Sequence, residues 1–174
     1  MLKAAVVTVS DRAAGGVYAD VSGPTLVGII KEMGAEVAAA HIVPDEPQQI
    51  QVLLCRLADE EDVHLILTTG GTGPAPRDHT PEATKAVIER EMHGLAELLR
   101  WDGRRRTPWA VLSRGVAGIR GRTLIINLPG NPRAVREGME VLAPLLPPTV
   151  SLMRGGPFHP EMTAAECCKE EAGG

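Results

Sequence analysis

Hydrophobic residues follow two alternating periods along this chain, and the alternation predicts strands interleaved with helices. Ala4-Ala5-Val6-Val7-Thr8-Val9 is a near-continuous apolar run, as expected of a strand covered on both faces. Residues 10–23 are polar and Gly-rich and read as a loop. Leu26, Ile29, Ile30 and Met33 then fall at i, i+3, i+4 and i+7, one stripe of a helix, with Pro24 near its start and Gly34 just past its end. Residues 36–43 read as a second strand. Asp45-Glu46-Pro47-Gln48 opens a second helix with the spacing of a capping box, and Ile50, Leu53, Leu54, Leu57 and Ala58 form its buried stripe. A third strand, residues 63–68, runs into the loop 69–78, after which Thr80 as N-cap and Pro81 at N1 begin another helix. A helical stretch surrounds Leu95, Leu98 and Leu99, and residues 102–108 read as a polar connection. Ala110-Val111-Leu112 and Leu124-Ile125-Ile126 read as short strands separated by a Gly-punctuated turn at 115–121. Leu128-Pro129-Gly130-Asn131-Pro132 makes a corner into a last helix with the stripe Val135, Met139, Leu142 and Leu146, stopped by Pro147-Pro148. Past Gly155-Gly156 a polar tail is expected to be loose. This alternation predicts a three-layer α/β/α sandwich with a mostly parallel sheet, one domain over residues 1–154 and a flexible tail over 155–174.

Composition narrows the function classes. The 174 residues are one domain's worth, and 18 basic against 22 acidic side chains leave a net charge of −4. That balance lacks the basic footprint of a nucleic-acid backbone binder. The early apolar run ends at Ser10-Asp11-Arg12, too short for a signal core or a membrane span. Three cysteines, Cys55, Cys167 and Cys168, form no CxxC pair and suit a reducing cytoplasm. With only Tyr18, Trp101, Trp109 and Phe158 as aromatics, a heterocyclic ligand is expected to rest on backbone groups and aliphatic walls.

Ligands of such sheets lie beyond the carboxyl ends of the strands. The sharpest feature there is Thr69-Gly70-Gly71-Thr72-Gly73-Pro74-Ala75-Pro76-Arg77-Asp78. Its glycines let the backbone approach an anion, and the helix beginning at Pro81 adds a positive N-terminal end. A tight connection without a ligand fits the glycine content equally. There is no P-loop, dinucleotide fingerprint, nucleophile elbow, HExxH or zinc-spaced Cys/His cluster. Asp45 and Asp78 each admit two readings. Asp45 suits an N-cap and Asp78 a turn; alternatively the two meet beside the Gly loop and hold Mg²⁺ on a nucleotide's phosphates. His79 reads as a solvated loop residue, Arg104-Arg105-Arg106 as a solvated charge run and Cys55 as core.

Several motifs together resemble one family. They are Thr8-Val9-Ser10-Asp11-Arg12, Tyr18 with Asp20 and Ser22-Gly23-Pro24, Val43-Pro44-Asp45, and the loop Thr69-Gly70-Gly71-Thr72-Gly73 with Pro76-Arg77-Asp78 and Thr80-Pro81-Glu82-Ala83-Thr84. Ser113-Arg114, Ala117-Gly118-Ile119-Arg120-Gly121 and Asn127-Leu128-Pro129-Gly130-Asn131-Pro132 complete the set. Over roughly residues 3–150 the chain is similar to the molybdopterin adenylyltransferases, relatives of the gephyrin G domain. The resemblance implies transfer of AMP from Mg-ATP to the terminal phosphate of molybdopterin, releasing pyrophosphate. It also implies one antiparallel strand near the sheet edge, a homotrimer and transient contact with a molybdenum-insertion protein. Asp45 and Asp78 match positions taken as catalytic and, with Mg²⁺, as metal ligands. Thr69, Gly70, Gly71, Thr72 and Gly73 would supply backbone donors. Ser10, Asp11, Ser113 and Arg114 would line the pterin-phosphate side, and Asn127, Pro129, Gly130 and Asn131 the rim. His79 departs from the small apolar residue expected after the Arg-Asp pair. The alternative within the same fold is a molybdopterin binder without transferase activity.

Overall fold

The computed structural model describes residues 1–157. In chain order the elements are β1 (Lys3–Val9), α1 (Asp11–Ala14), α2 (Ser22–Glu32), β2 (Glu36–Val43), α3 (Pro47–Asp59), β3 (Leu65–Thr69) and α4 (Thr80–Val87). They continue as β4 (Arg90–Glu91), α5 (His93–Arg106), a 3₁₀ helix (Pro108–Leu112), β5 (Ala117–Arg120), β6 (Thr123–Leu128), α6 (Pro132–Leu142) and α7 (Leu146–Met153).

The strands form one six-stranded sheet in the order β2-β1-β3-β6-β5-β4. β1 pairs in parallel with β2 and β3, and β3 with β6. β5 runs antiparallel to both of its neighbours, β6 and β4. Alternation along each strand sends side chains to two cores. Ala4, Val6, Leu65, Leu67, Leu124 and Ile126 pack with Leu26, Ile30, Val135, Met139, Leu142 and Val150 on the face covered by α2, α6 and α7. Ala5, Val7, Val9, Ile66 and Ile125 pack with Ile50, Leu54, Leu57, Ala83 and Val87 of α3 and α4 on the other. Helices on both faces explain why the central strands read as unbroken apolar runs. The α/β/α sandwich and its mostly parallel sheet are as the pattern predicts.

Several boundaries differ, each for a local reason. The loop 10–23 holds the short helix α1, capped by Ser10, whose Oγ accepts from the Ala13 N–H. Residues 102–106 continue α5, because their charges form its solvated face. Arg106 there is not a free charge: it pairs with Asp102 and Glu140. Residues 110–112 lie in the 3₁₀ helix, since a short apolar run does not by itself distinguish strand from helix. The turn at 115–121 instead holds β5. Pro147-Pro148 do not stop α6; they sit in the first turn of α7, where the missing N–H is tolerated, and Leu146 is buried with that helix. The two-residue strand β4 carried no pattern. Of the expected loose tail, the part beyond residue 157, with Phe158, Cys167 and Cys168, lies outside the described residues. Among the described residues no helix is long and apolar enough to cross a membrane.

From β1 the chain moves outward to β2, then returns to place β3 on the other side of β1. The carboxyl ends of β1 and β3 therefore flank a topological switch point, where open α/β sheets form crevices.

Candidate active site

The Gly loop leaves β3 at this switch point and is pinned from four directions. Gly70 N–H donates to Leu128 O at 3.1 Å, and the Thr80 hydroxyl donates to Gly70 O at 2.9 Å. Thr69 Oγ1 donates to Pro129 O at 2.7 Å, tying the loop to the corner before α6. Arg114 braces the far end, with its N–H on Thr72 O, Nε on Gly73 O and Nη2 on Asp78 O, while Nη1 pairs with Glu82. Gly70 and Gly71 hold φ of +98° and +63°. A Cβ at Gly70 would collide with the Val9 carbonyl, and one at Gly71 would stand 2.5 Å from Asp45 Oδ1. Only glycine fits both the conformation and the space.

Asp45 is 8% exposed. Its Oδ2 accepts the Asp11 N–H at 3.3 Å, and Asp11 Oδ1 accepts the Asp45 N–H at 3.0 Å. Asp45 Oδ1 is buried without a hydrogen-bond partner. Burial pushes this carboxyl above its ordinary range, and repulsion from Asp11 and Asp78 adds to the shift. Asp11 is held low instead, chiefly by the Arg77 guanidinium hydrogen-bonded to it. Asp78 Oδ2 accepts the Ala75 N–H at 3.0 Å and lies 2.8 Å from where a Gly73 Cβ would stand. Asp45 and Asp78 flank the same loop, Asp45 beside Gly71 and Asp78 beside Gly73.

Two pockets flank that loop. One, of about 350 Å³, is lined by Ser10, Asp20, Asp45, Gly70, Gly71 and Gly130 among others. The second, of about 320 Å³, runs from Thr72 and Gly73 past Ser113, Asn127 and Pro129 to apolar walls formed by Leu99, Trp109 and Leu112. Asn131 lines both.

The candidate residues thus separate by pocket. Ser10, Asp45, Thr69, Gly70, Gly71 and Gly130 share the first pocket, and Thr72, Gly73, Ser113, Asn127 and Pro129 the second. Asp11, Asp78 and Arg114 line neither. Asp45 is not a helix cap: α3 starts after Glu46, and the Asp45 carboxylate turns toward Asp11. Thr80 is likewise not a cap; its hydroxyl is spent on Gly70 O. The Asn127 side chain is fully committed, accepting from Val116 N–H and donating to the Thr68 and Thr84 hydroxyls. Asn131 caps α6 by accepting from Ala134 N–H.

Sequence reasoning left three contributors without a role. Asp20 accepts from Thr8, Ser22 and the Gly23 N–H, fixing the start of α2 at the pocket wall. Arg100 Nη1 donates to Gly115 O at 2.9 Å and holds the Ser113 turn; its signal was an arginine directly after the Leu98-Leu99 stripe. Trp109 lines the second pocket beside Leu99 and Leu112, an aromatic contribution to walls expected to be mostly aliphatic; the misread 3₁₀ helix hid it.

Comparison with known proteins identifies the family of the fold. The molybdopterin adenylyltransferase of Helicobacter pylori (strain J99) is 45% identical over 152 residues, 86% of each chain. The protein of the same name from Escherichia coli (strain K12) is 45% identical over 141 residues, covering 80% of this chain and 72% of its own. The crystal structure of the molybdopterin biosynthesis enzyme MoaB from Thermus thermophilus matches with a TM-score of 0.85 at 50% identity, over 91% of this chain and all of that one. The family described as probable molybdopterin binding domain matches residues 5–148. With the Gly loop, the Leu-Pro-Gly-Asn-Pro corner and the two pockets between them, the chain belongs to that molybdopterin-binding family.

Proposed function

We propose that this protein is a molybdopterin adenylyltransferase of molybdenum cofactor biosynthesis, moving AMP from ATP to the terminal phosphate of molybdopterin. The observation that carries the reading is two pockets on either side of one Gly loop, one of them holding a buried carboxylate whose Oδ1 has no partner. A binder of one ligand needs no second pocket; a transferase joining two substrates does.

The chemistry asks little of an acid or base. A phosphate monoester is already mostly ionised at neutral pH, so its oxygen attacks without deprotonation. A bond forms between that oxygen and the α-phosphorus of ATP, the bond to the bridging β-oxygen breaks, and pyrophosphate leaves. Positioning and charge neutralisation carry the rate. The apolar-walled pocket with Trp109 suits the pterin rings, with Ser113 on its phosphate side. The pocket holding Asp45 and Ser10 suits the nucleotide, with the Gly loop beside the phosphates. Asp45 and Asp78 fit a Mg²⁺ site, since Asp45 Oδ1 is orphaned and Mg²⁺ takes one or two carboxylates beside phosphates and waters. Among the described residues no three His, Cys, Asp or Glu side chains cluster for another metal. Asp45 and Asp78 would hold a Mg²⁺ that, when bound, would supply positive charge to the triphosphate, a task for which this loop has no lysine. Arg114, Thr69 and Thr80 keep the loop backbone in place, and Asp11 keeps Asp45 in place.

The same reading includes a cytoplasmic homotrimer that passes its product to a molybdenum-insertion protein. Light scattering should return about three times the 18.5 kDa of one chain. The deciding experiment mixes protein, Mg-ATP and molybdopterin and looks for adenylyl-molybdopterin by mass spectrometry. A molybdopterin complex without that product, and without pyrophosphate, would leave only a binding protein.

A further inference from the structure

Arg77 lines neither pocket, yet it ties together the three loops that bring Ser10, Asp45 and Gly71 to the first one. Its Nε donates to Asp11 Oδ2 at 2.8 Å and its Nη2 to Asp11 Oδ1 at 2.9 Å, a bidentate fork. Nη2 also donates to Glu46 Oε1 at 2.8 Å. The loop after β3 is thereby joined to the segments that follow β1 and β2. The oxygen Asp11 Oδ1 receives both Arg77 and the Asp45 N–H, and the Asp11 N–H returns a bond to Asp45 Oδ2.

This cluster is a poor source of stability. The Arg77 and Asp11 side chains are 57% and 39% exposed, and exposed ion pairs contribute little. A planar fork with a third bond does define geometry, which a lysine at the same position would not. What it defines is the placement of Asp45, whose backbone and one carboxylate oxygen are both bonded to Asp11. The other carboxylate oxygen is left beside Gly71.

We infer that Arg77 is a positioning residue: by clamping Asp11 and Glu46 it holds Asp45 beside Gly71 in the first pocket. The inference rests on the reading above that Asp45 serves this site. The competing role, direct contact between Arg77 and substrate phosphates, predicts a different pattern of variants.

The test uses the full-length protein as wild type, Arg77→Gln, Asp11→Ala, the double variant and Arg77→Lys. Amide hydrogen exchange is followed without nucleotide or metal. Protection of the Asp45 amide should fall about tenfold in Arg77→Gln, the scale of one weakened charge-assisted hydrogen bond, while Val6 and Leu67 in the sheet keep theirs. In turnover, each single variant should lose on the order of tenfold or more in kcat, with either KM changed by less than about twofold. The double variant should be no worse than the poorer single, because both act through one path. Arg77→Lys should recover only part of the loss. Unchanged exchange at Asp45 in Arg77→Gln overturns the inference. So do losses that multiply in the double variant together with a raised KM for ATP, which would make Arg77 a phosphate ligand. If the wild type forms no adenylyl-molybdopterin, the transferase reading fails, and the exchange data alone still decide whether Arg77 holds Asp45.

Discussion

Gly71→Ala is the most discriminating single change in this site. Gly71 sits at φ +63°, where a side chain costs about 1–2 kcal/mol. Its new methyl would also displace the Thr80 hydroxyl, which donates to Gly70 O in a buried bond worth about 1 kcal/mol. The sum, about 2–3 kcal/mol, lies well inside the ~5–15 kcal/mol of an ordinary domain, so the variant should remain folded. The effect on the site is larger. Asp45 Oδ1 would be 2.5 Å from the methyl and must retreat to an ordinary contact of 3.4 Å or more, a movement of 3.4 − 2.5 = 0.9 Å. Misplacing a catalytic group by about 1 Å lowers rate by on the order of 100-fold. Urea unfolding measures the first quantity and pyrophosphate release the second. Gly16→Ala is the control, since Gly16 has φ +70° but nothing within 4 Å. It should lose stability through backbone strain alone and keep wild-type turnover. A folded Gly71→Ala that turns over normally would show that the position of Asp45 is irrelevant to the reaction.

Three further changes separate chemistry from scaffolding. Asp78→Asn keeps the size of the side chain but weakens its hold on a cation; kcat should fall by about 100-fold or more while molybdopterin Kd, read by titration, stays near wild type. Asn127→Leu strands the Thr68 and Thr84 hydroxyls and the Val116 N–H, and should lower stability in denaturant titration by about 3 kcal/mol. Asp45→Asn should stabilise the metal-free protein at pH 7 but not at about pH 3. Burial raises the folded-state carboxyl above its unfolded value, so its contribution is complete below the unfolded value and lost as pH rises through the folded one. Thermal unfolding in chelator, with a Tm gain equal at both pH values, would contradict this.

The strands and helices of the two cores were legible because apolar period and layer agree. β1, β2, β3 and β6 and the stripes of α2, α3 and α6 follow directly from which faces are covered. The region 102–121 was not legible. Its helix end is charged, its 3₁₀ turn is short and apolar, and β5 contains Gly118, against which Ile88 packs closely. The helix end and the 3₁₀ turn form part of the wall of one pocket, so that wall was missed with them. The Gly loop was legible as a place, but local spacing could not distinguish a capping Asp45 from a site carboxylate. That distinction depends on Asp11, 34 positions earlier in the chain, arriving beside it. Arg77 was invisible for the same reason: its partners lie in two other loops.

Asp45 and Gly71 together violate two rules of economical folding at one point. A buried carboxylate oxygen has no partner, and two successive residues take left-handed backbone angles. Either feature alone is a local cost that selection for stability would remove, Asp45 by an amide and the glycines by a wider turn. Their coincidence at the switch point has a simple physical cause. The carboxylate can sit that close to the loop only because Gly71 lacks a Cβ, and the loop keeps that shape only because Thr80, Thr69 and Arg114 bond its carbonyls and those beside it. The bracing is therefore directed at holding an unfavourable arrangement in place. An arrangement of that kind is expected where function and not stability sets the geometry, and on the proposed reading a cation brought in with the nucleotide would supply the interaction that Asp45 Oδ1 lacks.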